Sequence, residues 1–336
     1  MKVLAIGQDE VRRLLPMGEC IEVMAEALAA LGSGDGLNPL RSLLFLPDRT
    51  GLLGMMPSYL GAPAAIGIKV VTVFPGNHGT PFDSHQGAVL LFEVDHGSLL
   101  AVVEASEITA IRTAAVSGLA TRLLAREEAS SLALLGSGVQ ARTHLEAMLA
   151  VRPVSEVRVW SRSREHAEAF AATAAARHGI GVTAVASAQE AVSPADLVCT
   201  TTAAAEPILA GEWLAAGTHV NAVGSSIPTA RELDSAAVVR SRLFVDRRES
   251  TLNEAGDFLF PQAEGAIDEN HIQAEIGELL LGQHTGRSSP DEITLFKSLG
   301  LAVEDLAAAH YVYRQALATG AGTPVPFTVD LPDSRP

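Results

Sequence analysis

Three observations in the amino-acid sequence predict an α/β fold. From Ser131 onward, apolar runs near 131–136, 156–160, 182–185, 196–201, 218–223 and 243–246 alternate with helical stretches, a rhythm that builds a parallel sheet with helices on both faces. The first of those runs opens onto Leu134-Leu135-Gly136-Ser137-Gly138-Val139-Gln140-Ala141, where a strand hands over to a helix. The chain before this region reads as a separate strand-rich segment, and after Gly277 it turns helical again, through Leu295 to Thr319. Such a long late helix is expected to pack back on the first segment. The predicted architecture is a Rossmann dinucleotide-binding domain over 125–299, inserted in a discontinuous α+β domain formed by 1–124 and 300–336.

The elements of the first segment follow in order. Val11, Leu14, Leu15, Ile21, Met24, Ala25 and Leu28 predict one amphipathic helix from about 9 to 32, stopped by Gly32-Ser33-Gly34. Strand-like runs follow at Ser42 to Leu46, Gly51 to Met56, Ala65 to Phe74 and Gly87 to Glu93. Turns at Pro47-Asp48 and Gly61-Ala62-Pro63 and a polar loop from Pro75 to Gln86 separate them. Asp95-His96-Gly97 turns the chain into Leu99 to Glu104, and Thr109 to Leu124 is helical. These runs make a mostly antiparallel sheet.

In the glycine segment, Gly136 permits a tight turn and Gly138 lets backbone amides approach a pyrophosphate. Ala141 lets the helix pack close to its strand. Ser137, Val139 and Gln140 complete the cradle, and the helix start holds the anion. The second strand of such a unit ends roughly 20 residues on, where an acidic residue takes the ribose 2′-hydroxyl of NAD. Here Val157-Arg158-Val159-Trp160 ends in Ser161-Arg162-Ser163-Arg164, with no acid at the tip. Ser161 and Arg162 suit a 2′-phosphate, so NADPH is preferred and NADH remains possible. The alternative, that Arg162 and Arg164 only solvate a helix start, sets cations against the helix dipole. Thr200-Thr201-Thr202 and Asn221-Ala222-Val223-Gly224-Ser225-Ser226 end two further strands at the expected ligand crevice. Thr201, Thr202, Val223 and Gly224 are therefore expected on the cofactor.

Composition narrows the partners. The 336 residues carry a formal charge of −15, which opposes nucleic acid and anionic membranes as partners. Cys20 and Cys199 lack metal-ligand spacing and read as buried small hydrophobes, suiting a reducing, cytoplasmic setting. No signal peptide, membrane span or metal site is expected.

Lys69 interrupts the apolar strand Ile66-Gly67-Ile68-Lys69-Val70-Val71, where an ammonium needs a partner or a ligand. Arg112 sits among small residues in Thr109-Ala110-Ile111-Arg112-Thr113-Ala114-Ala115-Val116. It is either a fork for a substrate carboxylate or a structural ion pair with Glu104 or Glu107. Arg41, after Asn38-Pro39, is a weaker candidate, and His85 in the polar loop could donate a proton. Met55, Met56 and Tyr59 are either pocket lining or core.

Taken together these segments resemble the ornithine cyclodeaminase and mu-crystallin family. The resemblance rests on Gly67-Ile68-Lys69, Thr72-Val73-Phe74-Pro75-Gly76-Asn77, the Arg112 and Gly136 segments, Glu206-Pro207-Ile208-Leu209, Asn221-Ala222-Val223-Gly224 and Thr294-Leu295-Phe296-Lys297-Ser298-Leu299-Gly300. It implies a homodimer built through the first domain and a substrate pocket between the domains, facing the nicotinamide. It also implies that Arg41 and Arg112 bind a substrate carboxylate and that Lys69 is the pocket lysine. The cyclodeaminases and the related archaeal alanine dehydrogenases carry an aspartate after the Val-Gly turn, where Gly224-Ser225-Ser226-Ile227-Pro228 offers Ser226. A serine cannot act as a base at neutral pH, and the mu-crystallin branch, with serine in this region, resembles NADPH-dependent ketimine reductases.

The expected activity is therefore reduction of a 2-imino acid, such as pyrroline- or piperideine-2-carboxylate, to the L-amino acid. Lys69, Arg112, His85 and Ser226 would serve catalysis, and Arg41, Lys69, Arg112 and Met56 would bind substrate. Three alternatives stand beside it: an acyclic imino-acid reductase of the alanine dehydrogenase or iminosuccinate reductase kind, an ornithine cyclodeaminase, and an NADPH-dependent ligand-binding protein.

Overall fold

The structure, a computed structural model, describes residues 2–77 and 79–327. The chain forms two compact units: one from the residues up to Arg112 together with those from Leu301 on, the other from Thr113–Gly300.

In the first unit, β1 (Lys2–Ile6) leads to helices α1 (Gln8–Leu14) and α2 (Met17–Gly32). Strands β2 (Gly36–Leu37), β3 (Ser42–Phe45), β4 (Leu52–Gly61), β5 (Ala64–Val73), β6 (His85–Phe92) and β7 (Leu99–Glu104) follow, and then helix α3 (Ala105–Leu124), whose residues from Thr113 on are counted with the second unit. One helix is not formed over 9–32. Pro16 has no backbone N–H to continue α1 and disfavours helical backbone at Leu15, so the chain breaks there and α2 restarts with Pro16 as its cap. The sheet runs β16-β1-β7-β6-β5-β4-β2, with β3 also on β4 and β16 (Thr323–Pro326) on the far edge. All its pairs are antiparallel except β1 with β7, as the hairpin-type turns require.

The second unit alternates as predicted. Strands β8 (Ser131–Leu135), β9 (Glu156–Trp160) and β10 (Gly181–Ala184) are separated by α4 (Val139–Val151) and α5 (Arg164–His178), and α6 (Ala188–Val192) precedes β11 (Leu197–Thr200). Next come β12 (His219–Ala222), α7 (Ser235–Val239), β13 (Arg242–Val245), α8 (Arg248–Glu254), α9 (Gly256–Ala263), β14 (Ile272–Glu275), α10 (Ile276–Leu280) and β15 (Thr294–Lys297). The order is β10-β9-β8-β11-β12-β15-β13-β14, parallel throughout. Leu135, Val198, Val220, Val245, Phe258 and Leu295 centre its core.

The expected helix from Gly277 to Thr319 is corrected. Thr294–Lys297 is a fully buried strand between β12 and β13, and α11 spans only Ala302–Thr319. A four-residue strand buried at every position, Thr294 and Lys297 included, shows no polar–apolar alternation, so its pattern does not separate strand from helix. Gly300, at φ 77°, marks the break before α11.

Among the described residues no helix is long and apolar enough to cross a membrane, and no group of His, Cys, Asp or Glu has metal-binding geometry. Both cysteines are buried free thiols, and burial pushes that of Cys199 up to about 12.

Candidate functional site

The second unit carries the dinucleotide cradle. β8 delivers the chain to Gly136 at φ 123°, where a Cβ would stand 2.6 Å from Thr201 Oγ1. Only glycine fits that conformation and that approach. Gly138 caps α4, and a Cβ there would meet nothing within 4 Å; this is the open face that a pyrophosphate needs. Ser137 and Gln140 are half-buried, and Val139 is 57% exposed. The residues present therefore fit a dinucleotide.

At the tip of β9, the Trp160 carbonyl accepts from the Gly136 amide at 2.8 Å, joining the two loops. The four following residues divide by role. Ser163 caps α5 by accepting from the His166 amide, and Arg164 pairs with Glu168 at 2.7 Å. Of the other two, Ser161 is half-buried and Arg162 is exposed.

The ends of β11 and β12 are joined by a residue the sequence reading missed. Glu232, fully buried, accepts from Thr200 Oγ1 (2.6 Å), the Thr202 amide (2.7 Å), Thr202 Oγ1 (2.6 Å) and the Gly224 amide (2.7 Å). Burial raises its pKa, and the Thr200 and Thr202 hydroxyls oppose that rise. Thr201 instead bonds back to the Leu135 carbonyl. Val223 is buried, and Ser226 is half-buried in the loop after β12.

The first unit carries a buried cation cluster. Lys69 lies on β5, directly opposite Met56 of β4 and Val89 of β6, and opposed residues of antiparallel strands share a face. Its Nζ stands 2.6 Å from Asp305 Oδ2 and 3.5 Å from Thr109 Oγ1. Arg112, on α3, donates from Nε to Asp305 Oδ1 and from Nη1 to Glu304 Oε2, both at 2.8 Å. The four charged side chains, Lys69, Asp305, Arg112 and Glu304, are at most 5% exposed. Burial pulls the Lys69 ammonium down to about 8; Asp305 opposes this, while the positive charges of Arg112 and Arg41 add to it. Burial and the two cations act in opposite senses on Asp305, and the cations win, holding its carboxyl below the usual range.

The ion pair of Arg112 is therefore made, but not with Glu104 or Glu107. Glu104 caps α3 by accepting from the Ser106 and Glu107 amides, and Glu107 takes Arg12 at 2.9 Å. The signal for the real partners was present: Glu304-Asp305 interrupts an otherwise small and apolar helix start, the same pattern that singled out Arg112. Arg41 is half-buried immediately before β3 and near enough to act on Lys69. His85 begins β6 with Nδ1 3.0 Å from Ser84 Oγ. His85 is exposed, yet the surrounding protein and the charge of Lys69 both lower its pKa.

A parallel sheet of this order with a glycine cradle between β8 and α4 defines a two-unit α/β protein of the NAD(P)-binding Rossmann class. The chain belongs to the ornithine cyclodeaminase/mu-crystallin family, whose model matches residues 2–320. It is 44% identical over 296 residues to the ketimine reductase mu-crystallin of Mus musculus, covering 87% of this chain and 90% of that protein. The structure of Thermococcus litoralis Delta(1)-pyrroline-2-carboxylate reductase in complex with NADH and L-proline superposes with a TM-score of 0.93 at 40% identity, over 96% of this chain and 99% of that one. An archaeal alanine dehydrogenase dimer with bound NAD superposes with a TM-score of 0.92 at 31% identity, over 98% of this chain and all of that one.

Proposed function

We propose that this protein is an NAD(P)H-dependent imine reductase that converts cyclic 2-imino acids, such as pyrroline- and piperideine-2-carboxylate, to the L-amino acids. The observation that carries this reading is the buried Lys69–Asp305–Arg112 cluster. The named activities of the mouse and Thermococcus relatives agree with it.

Bound NAD(P)H supplies the hydride, which adds to the carbon bearing the carboxylate. The residues of the chain make that carbon electrophilic. Arg112, with Arg41, holds the carboxylate. An imine accepts hydride only weakly until its nitrogen is protonated, so a proton donor is required. Lys69 Nζ is that donor: its pKa of about 8 leaves it mostly charged at neutral pH and more acidic than an ordinary lysine. Asp305 holds the ammonium in place and keeps it charged. Met56, on the same face as Lys69, gives the ring an apolar wall. His85 and Ser226 are hydrogen-bonding residues in this scheme. Ser226, with no titratable proton near neutral pH, suits reduction better than loss of a second amine.

NADPH is the preferred form because Ser161 and Arg162, and no carboxylate, follow β9. A homodimer built through the first unit is supported by its apolar surface: Leu37, Leu43, Leu44, Phe45 and Ile66 are between 42% and 64% exposed. All of β3 is exposed, and such a patch marks an association surface.

The test is initial rates of NADPH and NADH oxidation with pyrroline-2-carboxylate, piperideine-2-carboxylate, pyruvate plus ammonia, and oxaloacetate plus ammonia, and of ammonia release from ornithine. Turnover highest with a cyclic imine is expected. Turnover confined to the open-chain mixtures or to ornithine would replace this reading with a dehydrogenase or a cyclodeaminase. Tight NADPH binding without turnover would make the chain a ligand-binding protein.

A further inference from the structure

Behind the ends of β11 and β12 the second unit buries a chain of three charged side chains that the scheme above does not use. Glu232 takes four donors from Thr200, Thr202 and Gly224, two on each oxygen. Asp257, on α9, accepts from the Glu232 amide at 2.8 Å and the Leu233 amide at 3.0 Å, which fixes the backbone that presents Glu232. Its other oxygen meets Lys297 Nζ at 2.9 Å. Lys297, the last residue of β15, spends its two remaining donors on the Ala222 carbonyl (3.2 Å) and the Ser225 carbonyl (2.5 Å). All three side chains are at most 3% exposed.

The chain therefore grips the turn after β12 on both sides: Glu232 holds the Gly224 amide, and Lys297 holds the carbonyls of Ala222 and Ser225. Gly224 has no slack within this grip. A Cβ there would stand 2.1 Å from the Thr202 carbonyl oxygen and 2.5 Å from Glu232 Oε1. Burying three charges solely for stability is inefficient, because an apolar replacement serves as well or better. Fixing a backbone surface at the carboxyl ends of parallel strands, where ligands bind in such sheets, is what this arrangement does.

We propose that Glu232, Asp257 and Lys297 are positioning residues that latch the turn Val223–Ser226 to the end of β11 and so fix the surface against which the nicotinamide ring is held for hydride transfer. This rests on the reductase reading above. The test uses the full chain with Glu232→Gln and Thr200→Val. In Glu232→Gln an NH2 group replaces one oxygen and confronts two donors, while the side-chain volume is kept. Thr200→Val deletes one hydroxyl donor near-isosterically and serves as the milder, foldable variant.

Three quantities are read: kcat with a cyclic imine, the primary isotope effect from NADPH deuterated at the transferred position, and the dissociation constants of NADPH and of its nicotinamide-free fragment 2′-phospho-ADP-ribose. For Glu232→Gln, kcat is expected to fall roughly 10- to 100-fold, the scale of a lost hydrogen bond to a charged group. The isotope effect should rise, and NADPH should lose affinity while the fragment does not. Thr200→Val should move all these quantities in the same direction by less. A lowered melting temperature with kcat, isotope effect and the NADPH-to-fragment ratio all unchanged would overturn the proposal. If the unmodified protein reduces no imine, the reductase reading fails, yet the affinity ratio still decides whether the latch places the nicotinamide.

Discussion

Replacing Asp305 by Asn tests the proposal that Lys69 is the proton donor. Asp305 is the strongest influence opposing the depression of Lys69, from 2.6 Å away. With a pKa of about 8, Lys69 is about nine-tenths protonated at pH 7. An opposite charge this close is worth about one to three pKa units. Without it, the protonated share at pH 7 falls to between about one half and about one hundredth. If Lys69 Nζ delivers the proton, kcat for imine reduction at pH 7 falls by about two- to ninety-fold and recovers toward acid pH. The sign follows from the direction of the shift. A lowered lysine pKa means that the donor is lost as pH rises through it, so the unmodified enzyme should lose activity above about pH 8. The variant should lose activity at a lower pH. The assay is the pH profile of kcat with saturating cyclic imine and NADPH. Arg112 also loses the negative charge of a partner at 2.8 Å, and breaking a buried ion pair costs about 3–5 kcal/mol of stability, so a lower melting temperature is expected as well. The pH profile separates the two effects. A folded variant that keeps the alkaline limb of the unmodified enzyme would refute the assignment of Lys69 as donor.

Two further outcomes follow from the geometry. Arg162→Ala should raise KM for NADPH at least tenfold, about the worth of one charged hydrogen bond, and leave KM for NADH unchanged; equal losses for both cofactors would remove Arg162 from the 2′-phosphate. The protein should be dimeric by light scattering, and Leu44→Glu with Phe45→Glu, placed on an exposed strand, should make it monomeric; a doubly substituted protein that stays dimeric would move the interface elsewhere.

Local pattern made much of this legible. The glycines at 136 and 138 are dictated by backbone geometry within a few residues, and the six predicted strands of the second unit recur within a residue or so of their expected places. Lys69 and Arg112 were found because a charge amid apolar or small neighbours is costly wherever it lies. What compensates such a charge is not local. Asp305 lies 193 residues from Arg112, and Glu232 lies 30 residues or more from the two threonines it joins. Neither distance leaves a periodic trace. The same blindness made Thr294–Lys297 read as helix, since a short strand buried on both faces has no solvent-facing side to mark its period, and Lys297 finds its partners 40 or more residues away.

The sequence by itself thus determined that the chain winds a dinucleotide-binding sheet, that no acid follows its second strand, and that two cations sit where cations need a reason. Only the tertiary structure decided what surrounds them. It gave Lys69 and Arg112 a shared carboxylate and Arg112 a second one, and it set a buried glutamate under the turn after β12. The physical reason is that turns and periods are governed by steric and dihedral preferences of neighbouring residues. The partner of a buried charge is chosen by whichever elements the whole chain packs against it.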